Sequence, residues 1–422
     1  NLTSDPNLNR AINKITMGDG SVKFVEQNLL NTDLTLNLSQ NIPWTGGSLF
    51  LETSAQRMDL FSEHKYSWQT SPIMIGYRQS LFGYNSLKWD KRIEPVRYQE
   101  AKKSYVETLE LVSANAINKF FALATAQSNY DIASFNYANA DTLYRYAQGR
   151  YNIGTITENE MLQLELNRLT EETNRMNARI EMDNCMQELR SYLGIQEERE
   201  IRVRVSSRIP DFSINLNEAL TLAYENSPDI QTMKRRKLES ESAVARARAN
   251  AGLKADIYLR FGLTQTADKL PEAYRNLLDQ QYVSLSISLP ILDWGRGKGQ
   301  VRVARSNRDL VYTQVEQSRT DFELNVRKLV KQFNLQTQRV RIAARTDETA
   351  QRRNEVARKL YILGKSTILD LNASISEKDS ARRNYVSALY NYWSLYYTLR
   401  SMTLYDFESN KLLTEDYNLL IE

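Results

Sequence analysis

The sequence contains very few of the residues that build disulfides, metal cages or thiol and imidazole active sites. Among its 422 residues there is one cysteine, Cys185, and one histidine, His64. A single cysteine excludes an internal disulfide and leaves the redox compartment undetermined. One cysteine and one histidine also argue against a thiol–imidazole pair and a His/Cys metal site. We therefore expect that the protein is not an enzyme and that it binds neither a cofactor nor a metal.

Long apolar runs and a strong charge of one sign are also missing. No stretch of 18 or more apolar residues occurs, so no transmembrane helix is predicted. The 55 Lys and Arg residues nearly balance the 51 Asp and Glu residues, and the formal net charge is +4. This small excess does not predict a nucleic-acid partner. The segment from Asn1 to Asp5 lacks the features of a signal peptide, so we expect a mature, processed or truncated chain.

Two copies of one pattern, 210 residues apart, organise the sequence. The matched pairs include Tyr151 with Tyr361, Gly154 with Gly364, Thr157 with Thr367, and Glu160 with Asp370. Both copies keep the same spacing between a strand-like run and the matched glycine. An internal repeat of this kind indicates that the two copies share one architecture.

Alternating apolar and polar residues predict β-strands in both copies. The clearest run is Tyr282 to Leu292, where aliphatic residues alternate with serines, and similar runs occur at 257–263, 34–39 and 73–77. A transmembrane barrel strand alternates in this way between lipid and lumen. A half-buried strand of a soluble sheet does the same, so alternation alone leaves both interpretations open. Aromatic residues that suit a membrane interface lie near the runs: Trp44, Tyr66, Trp68, Tyr84 and Trp294.

Long helix-permissive segments follow the strands, at about 95–153 and 298–363. Each has roughly 60 residues and would span about 90 Å. A second helix of roughly 35 residues then returns, at about 157–193 and 367–402, and such lengths require packing like that of a coiled coil. Large apolar residues are scarce in these segments and alanine is frequent. This composition favours helices that contact water on two sides. A soluble antiparallel coiled coil is the alternative.

The two helix-to-helix turns carry matching end signals. Gly154 and Gly364 are suited to end a helix in the left-handed conformation. The residues that follow predict capping boxes, Thr157 with Glu160 and Thr367 with Asp370. Capping alone accounts for these residue types, and a functional role is compatible with it.

Several segments, taken in order and spacing, resemble the TolC-like outer-membrane efflux proteins, the outer membrane factor family. These segments are Ser288–Arg296 and its counterpart Arg78–Asn85, Leu220–Ile230, and Arg190–Ile195. The resemblance covers essentially the whole chain. It implies an α+β membrane protein with two internal repeats, in which three chains form a long α-helical hairpin barrel continuous with a transmembrane β-barrel.

On this resemblance the chain divides by repeat. The first repeat is expected at 1–194, with strands within 1–84 and a helical hairpin at 90–194, followed by an equatorial connector at 195–215. The second is expected at 216–404, with a helix at 216–251, strands at 255–292 and a hairpin at 295–402, followed by a C-terminal equatorial segment at 405–422. The first repeat lacks a counterpart of helix 216–251, so we expect a lead-in helix upstream of Asn1.

The resemblance assigns the two turns to a periplasmic entrance. Asp370, Tyr361 and Glu160 are the expected gate residues, and three copies of Asp370 near one axis would form a cation-attracting ring. Ser366 and Ala373 depart from the family's pattern. An adaptor is expected to dock on the two turns, Ile153-Gly154-Thr155 and Leu363-Gly364-Lys365.

The implied function is a passive exit duct in the bacterial outer membrane, with a tunnel that extends into the periplasm. It would serve a tripartite efflux or type I secretion system. The implied partners are two further copies of the chain, a periplasmic adaptor (a membrane fusion protein), an inner-membrane RND or ABC transporter, and outer-membrane lipid. The alternative function is a soluble or periplasmic coiled-coil scaffold.

Overall fold

The computed structural model of the chain describes residues 2–16, 20–61, 64–196, 200–206, 209–363 and 365–413. The helices are α1 (Ser86–Asn152), α2 (Glu158–Tyr192), α3 (Leu216–Asn226), α4 (Pro228–Ala251), α5 (Arg296–Ile362) and α6 (Ile368–Thr403). The strands are β1 (Leu2–Thr16), β2 (Val22–Ile42), β3 (Gly47–Leu60), β4 (Lys65–Ser80), β5 (Lys254–Ala267), β6 (Leu278–Ser288), β7 (Tyr405–Asp406) and β8 (Lys411–Leu412). The fold is α+β, as predicted.

The chain forms two compact units, and each takes segments from both halves of the sequence. The first unit is Asn1–Arg97 with Met233–Glu316, and the second is Tyr98–Thr232 with Gln317–Glu422. The division therefore cuts across the predicted repeats. In the described part of the chain, none of the helices combines the length and apolarity needed to cross a membrane.

The first unit contains a six-stranded antiparallel sheet whose spatial order follows the chain, from β1 to β6. Pairing is continuous from strand to strand, with register shifts between Glu52 and Ser54 and between Thr70 and Ile73. The second shift contains Pro72, which has no N–H for the ladder and is tolerated at such an irregularity.

One face of this sheet, here called the apolar face, is aliphatic across five strands. Its residues are Leu34, Leu36 and Leu38 of β2, Leu49 and Leu51 of β3, Ile73 and Ile75 of β4, Ile257, Leu259, Phe261 and Leu263 of β5, and Val283, Leu285 and Ile287 of β6. The register sets them side by side, because Leu51 pairs with Ile75 and Leu259 with Val283. Many of these side chains are exposed, Leu285 to 60% and Leu36 to 51%.

The opposite face, here called the polar face, carries polar and aromatic side chains. Ser284 and Ser286 of β6 lie on it, and the Arg78 guanidinium lies 5.4 Å from the centre of the Tyr258 ring. The Phe50 ring stacks on Tyr258 and covers Gly76, where an added Cβ would lie 2.0 Å from the Phe50 ring. The Phe50 ring can therefore take this position only because residue 76 has no side chain.

The second unit is helical. An apolar cluster joins α1 to α2 and consists of Leu123, Ala126, Met182 and Leu189. Buried polar contacts join α1 to α6: the Asn136 amide donates to Asp379 at 2.7 Å, and Arg400 pairs with Glu110 at 2.9 Å. Because breaking a buried charge pair is costly, these contacts fix the register between the two helices.

Two predicted boundaries are wrong, and proline is the reason in each case. The helix expected at 216–251 is two helices, α3 and α4, separated at Ser227, which is extended (ψ 135°). The residue before a proline avoids the helical region, and Pro228 follows. The strand expected to reach Leu292 ends at Ser288, two residues before Pro290, which cannot donate to a ladder. Residues 414–422 of the expected C-terminal segment lie outside the described residues.

Candidate functional site

The turn between α1 and α2 is closed by backbone hydrogen bonds. Gly154 has a φ of +72°, and its amide donates to the Tyr151 carbonyl at 2.8 Å. The amide and the hydroxyl of Thr155 both donate to the Arg150 carbonyl, each at 2.9 Å. The space around Gly154 is open. A side chain there would be opposed by the left-handed backbone and not by a neighbour.

The predicted capping box follows this turn. The Thr157 hydroxyl accepts a hydrogen bond from the Glu160 amide at 3.2 Å, and the Glu160 carboxylate accepts one from the Thr157 amide at 3.0 Å. Two amides at the start of α2 that lack helical partners are thereby satisfied.

The turn between α5 and α6 has the same end chemistry. Gly364 lies outside the described residues. On either side of it, the Leu363 amide donates to the Lys359 carbonyl at 3.1 Å, and the Lys365 amide to the Leu360 carbonyl at 2.9 Å. Thr367 then caps α6 through the second predicted capping box, with Asp370 as its partner.

Asp370 is exposed and held as an anion. Its carboxylate accepts hydrogen bonds from the Thr367 hydroxyl at 2.7 Å, the Thr367 amide at 3.4 Å and the Ser366 hydroxyl at 3.3 Å. These donors, the Thr367 hydroxyl first, lower the pKa of the Asp370 carboxyl below its ordinary value, and the nearby charge of Arg353 adds to the effect. Asp370 therefore carries a negative charge at neutral pH.

Exposed aliphatic side chains mark both turns. Ile153 is 74% exposed in the first turn, and Leu363 is 67% exposed in the second. Lys365 and Thr155, the residues at the other end of each predicted docking motif, are also exposed. Each turn thus offers an apolar side chain beside a polar one. Their role in docking stays a prediction.

A cleft of about 480 Å³, here called the tip cleft, opens between the ends of the two hairpins. The residues that matter for its chemistry are Tyr146, Arg150, Glu160, Tyr361 and Thr367. Burial raises the pKa of the Tyr361 hydroxyl, the charges of Glu160 and Tyr146 act in the same direction, and Arg150 opposes them. Tyr361 is therefore a neutral hydroxyl that faces a carboxylate and a guanidinium from the other hairpin.

The structure brings together two of the three predicted gate residues. Tyr361 and Glu160 line the tip cleft, whereas Asp370 is not among the described residues that do so. Thr367, which lines the cleft, donates a hydrogen bond to the Asp370 carboxylate and so connects Asp370 to the cleft. Sequence reasoning missed Arg150. The available signal was a basic residue in the last turn of a helix, a position where the helix dipole favours positive charge.

No group of three or more His, Cys, Asp or Glu residues that could hold a metal occurs among the described residues. A second, smaller cavity of about 200 Å³ lies beside the tip cleft and shares Tyr361 and Tyr146 with it. Leu143, Leu371 and Ile375 make its wall largely apolar. The two cavities therefore leave space between the hairpin ends. Elsewhere along α1 and α6, the Asn136–Asp379 and Arg400–Glu110 contacts are buried.

Sequence comparison gives a family match and a distant relative. Residues 219–403 match the family model "Outer membrane efflux protein". The chain is 21% identical over 311 residues to outer membrane protein TolC of Escherichia coli strain K12. That match covers 71% of this chain and spans 61% of the length of the relative.

Solved structures share the fold. The chain is similar to the CmeC outer membrane channel of Campylobacter jejuni, with a TM-score of 0.69, 14% identity, and coverage of 100% of this chain and 80% of that one. It is also similar to the open state of the MtrE outer membrane channel of Neisseria gonorrhoeae, with a TM-score of 0.64, 13% identity, and coverage of 90% and 81%. VceC of Vibrio cholerae gives a TM-score of 0.63 at 13% identity, with coverage of 95% and 87%.

Proposed function

We propose, on the premise that this chain is a relative of the TolC-like outer membrane efflux proteins, that it is the exit duct of an efflux or secretion system. The matches to outer membrane efflux proteins support the predicted outer-membrane location and agree with the prediction of a channel that performs no catalysis. They do not favour the coiled-coil scaffold. Pump, adaptor and cargo belong to the proposal.

The apolar face of the six-stranded sheet is the observation that carries this proposal. Soluble monomers rarely expose a contiguous apolar patch of more than a few hundred Å². Here apolar side chains are exposed on the neighbouring strands β3 to β6, and the polar face lies behind them. Outer-membrane strands have this arrangement, with an apolar band towards lipid and a polar side towards a lumen. Lipid is therefore the natural occupant of the apolar face on β3 to β6.

The sheet requires further strands if its apolar face lies in lipid. A sheet edge left open in hydrocarbon has unsatisfied N–H and C=O groups, so sheets span membranes only as closed barrels. The described sheet leaves two edges, one on β1 and one on β6. We propose that two further copies close the ring, as the family resemblance implies.

The turns form the entrance in this proposal. Charge at Asp370 would attract cations to the tunnel mouth. The exposed Ile153 and Leu363 would give an adaptor an apolar contact at each turn. The pump supplies the energy, and the duct opens when the tip cleft rearranges.

A matched pair of substitutions on β6 tests the lipid assignment. Leu285→Arg places a charge on the apolar face and should oppose membrane insertion by about 2–4 kcal/mol if the position lies near the bilayer centre. Ser286→Arg places the same charge on the polar face and should insert normally. Folding of the purified protein into liposomes, followed by protease resistance, measures both. Equal insertion of the two variants, or a native protein that stays monomeric in solution without detergent, would contradict the proposal.

A further inference from the structure

We propose that the N-terminal ribbon, formed by β1 and β2, belongs to the membrane wall, so that all six strands of the described sheet contribute to the barrel. This inference rests on the proposed function, because it assumes that the sheet lies in lipid. Beyond that function, we place the ribbon in the same hydrocarbon layer as β3 to β6 and not in the aqueous phase.

The first support is continuity of the hydrogen-bond ladder. β2 pairs with β1 on one side and, from Leu29 to Ile42, with β3 on the other. No gap in pairing separates the ribbon from β3 along this stretch. The ribbon thus continues the sheet as its first two strands.

The second support is the face on which the leucines lie. Leu38 pairs with Leu51 of β3, which pairs with Ile75 of β4, and Ile75 pairs with Phe261 of β5. The leucines of β2 therefore extend the apolar face past β3. They are as exposed as those of the proposed lipid-facing strands, with Leu36 at 51% and Leu38 at 70%.

The third support is the chemistry of the other face of β2. Thr35 and Asn37 alternate with the leucines, and the Asn37 amide donates to the Glu52 carboxylate at 3.3 Å. A one-residue slip would exchange the two faces, so the register is strongly specified. β2 therefore repeats the alternation seen in β6.

Length also agrees. The segment from Leu30 to Leu38 has about the 9–11 residues that a tilted strand needs to cross the hydrocarbon. Beyond it β2 extends past the end of β3, because Leu29 pairs with Leu60, the last residue of β3. In that extension Arg10 of β1 pairs with Asn28. Asn28 thus interrupts the apolar pattern at the end of this segment, although Phe24 and Val22 farther out on β2 are again apolar and exposed.

β1 has the features of an outermost strand. Leu2 and Leu8 pair with Leu36 and Leu30, which places them on the apolar face, and both are exposed. Pro6 lies within the strand. Proline is confined to edge strands, strand starts and bulges because it cannot donate to a ladder on both sides. These features suit β1 to an edge of the described sheet.

Spin labels on single cysteines test the proposal. In a Cys185→Ala background, nitroxides are attached at Leu36→Cys and Thr35→Cys of β2, and at Leu285→Cys and Ser286→Cys of β6 as the matched reference pair. The full chain is reconstituted in phospholipid vesicles. Collisional relaxation by oxygen, which concentrates in hydrocarbon, is compared with relaxation by a water-soluble nickel chelate.

We expect oxygen to dominate at positions 36 and 285 and the nickel chelate to dominate at 35 and 286, with ratios that agree within about twofold between the strands. If position 285 is oxygen-accessible while 36 is accessible only to nickel, the ribbon stands outside the membrane and this proposal is overturned, with the proposed function intact. If nickel dominates at both 36 and 285, both proposals fail.

Discussion

In the turn between α1 and α2, Glu160 closes a capping box and also lines the tip cleft opposite Tyr361. In the turn between α5 and α6, Asp370 closes the same kind of box, but its carboxylate accepts an additional hydrogen bond from Ser366, and Asp370 is not among the described residues that line the cleft. The two residues occupy matched positions of the repeat. Local chemistry makes both of them caps, whereas the packing around each turn decides what else its carboxylate contacts.

The difference predicts separate roles for the two carboxylates. Glu160 contributes charge to a cleft between hairpins of one chain, where Arg150 and Tyr361 also lie. Asp370 is exposed and negatively charged at neutral pH, which suits contact with ions or with another molecule. We therefore predict that the matched substitutions Asp370→Asn and Glu160→Gln have unequal effects.

The largest expected effect is on block of the channel by trivalent cations in planar bilayers. Asp370→Asn should weaken the block about tenfold or more, a change of about 1.4 kcal/mol in binding free energy, because it removes the charge of the proposed ring. Glu160→Gln should leave the block within about twofold. Equal losses in the two variants would show that the carboxylates are not distinct, and unchanged block in Asp370→Asn would leave Asp370 as a helix cap only.

Removing the capping hydroxyls should have the next largest effect. Thr367→Val and Thr157→Val each lose a side-chain cap and should each lower the free energy of unfolding by about 1 kcal/mol. Urea titration followed by circular dichroism measures this. Only Thr367→Val should also change cation block, because Thr367 is the principal donor to Asp370. A change in cation block in Thr157→Val would contradict the proposed difference between the two turns.

Gly154→Ala should lower the free energy of unfolding by a smaller amount, at most about 1 kcal/mol. The position has a φ of +72° and open space around it, so the cost is backbone strain alone. Gly149→Ala is the control: it also has open space, but it lies in α1 and has no positive φ, so it should stabilise slightly. A larger loss for Gly149→Ala than for Gly154→Ala would contradict this account of the turn.

The smallest effect is expected from mild acidification. The pKa of Asp370 is lowered from 3.8, so its charge, and any stability it contributes, is fully present above that value and lost as the pH falls through the lower folded-state pKa. Cation block should therefore be unchanged between about pH 7 and pH 5. In Thr367→Val the loss should begin at a higher pH. A midpoint above pH 5 in the native protein would contradict the hydrogen-bonding geometry at Asp370.

Sequence reasoning succeeded where the signal was local or strongly periodic. The long helices and both capping boxes follow from residues within a few positions of each other. It failed at Ser227 and Ser288, where prolines end elements within otherwise permissive runs. It also missed Arg150 and the separation of Glu160 from Asp370, because both depend on which hairpin faces which, and no local pattern encodes that packing.

The number of strands near the N-terminus was likewise beyond local patterns. Alternation in residues 34–39 indicated one strand, but the pairing of β1 with β2 joins residues as distant in sequence as Leu2 and Leu36. In addition, Pro6 and Arg10 interrupt the alternation of β1. Register between strands, and not composition, is what reveals the continuous apolar face.

Single-channel recording from the purified protein in planar bilayers tests the central claim, that this chain forms an outer-membrane duct, most directly. The account predicts discrete, steady currents that trivalent cations block from the side on which the helix turns lie. Absence of any conductance from protein that has inserted into the bilayer, or block that is equal from both sides, would contradict it.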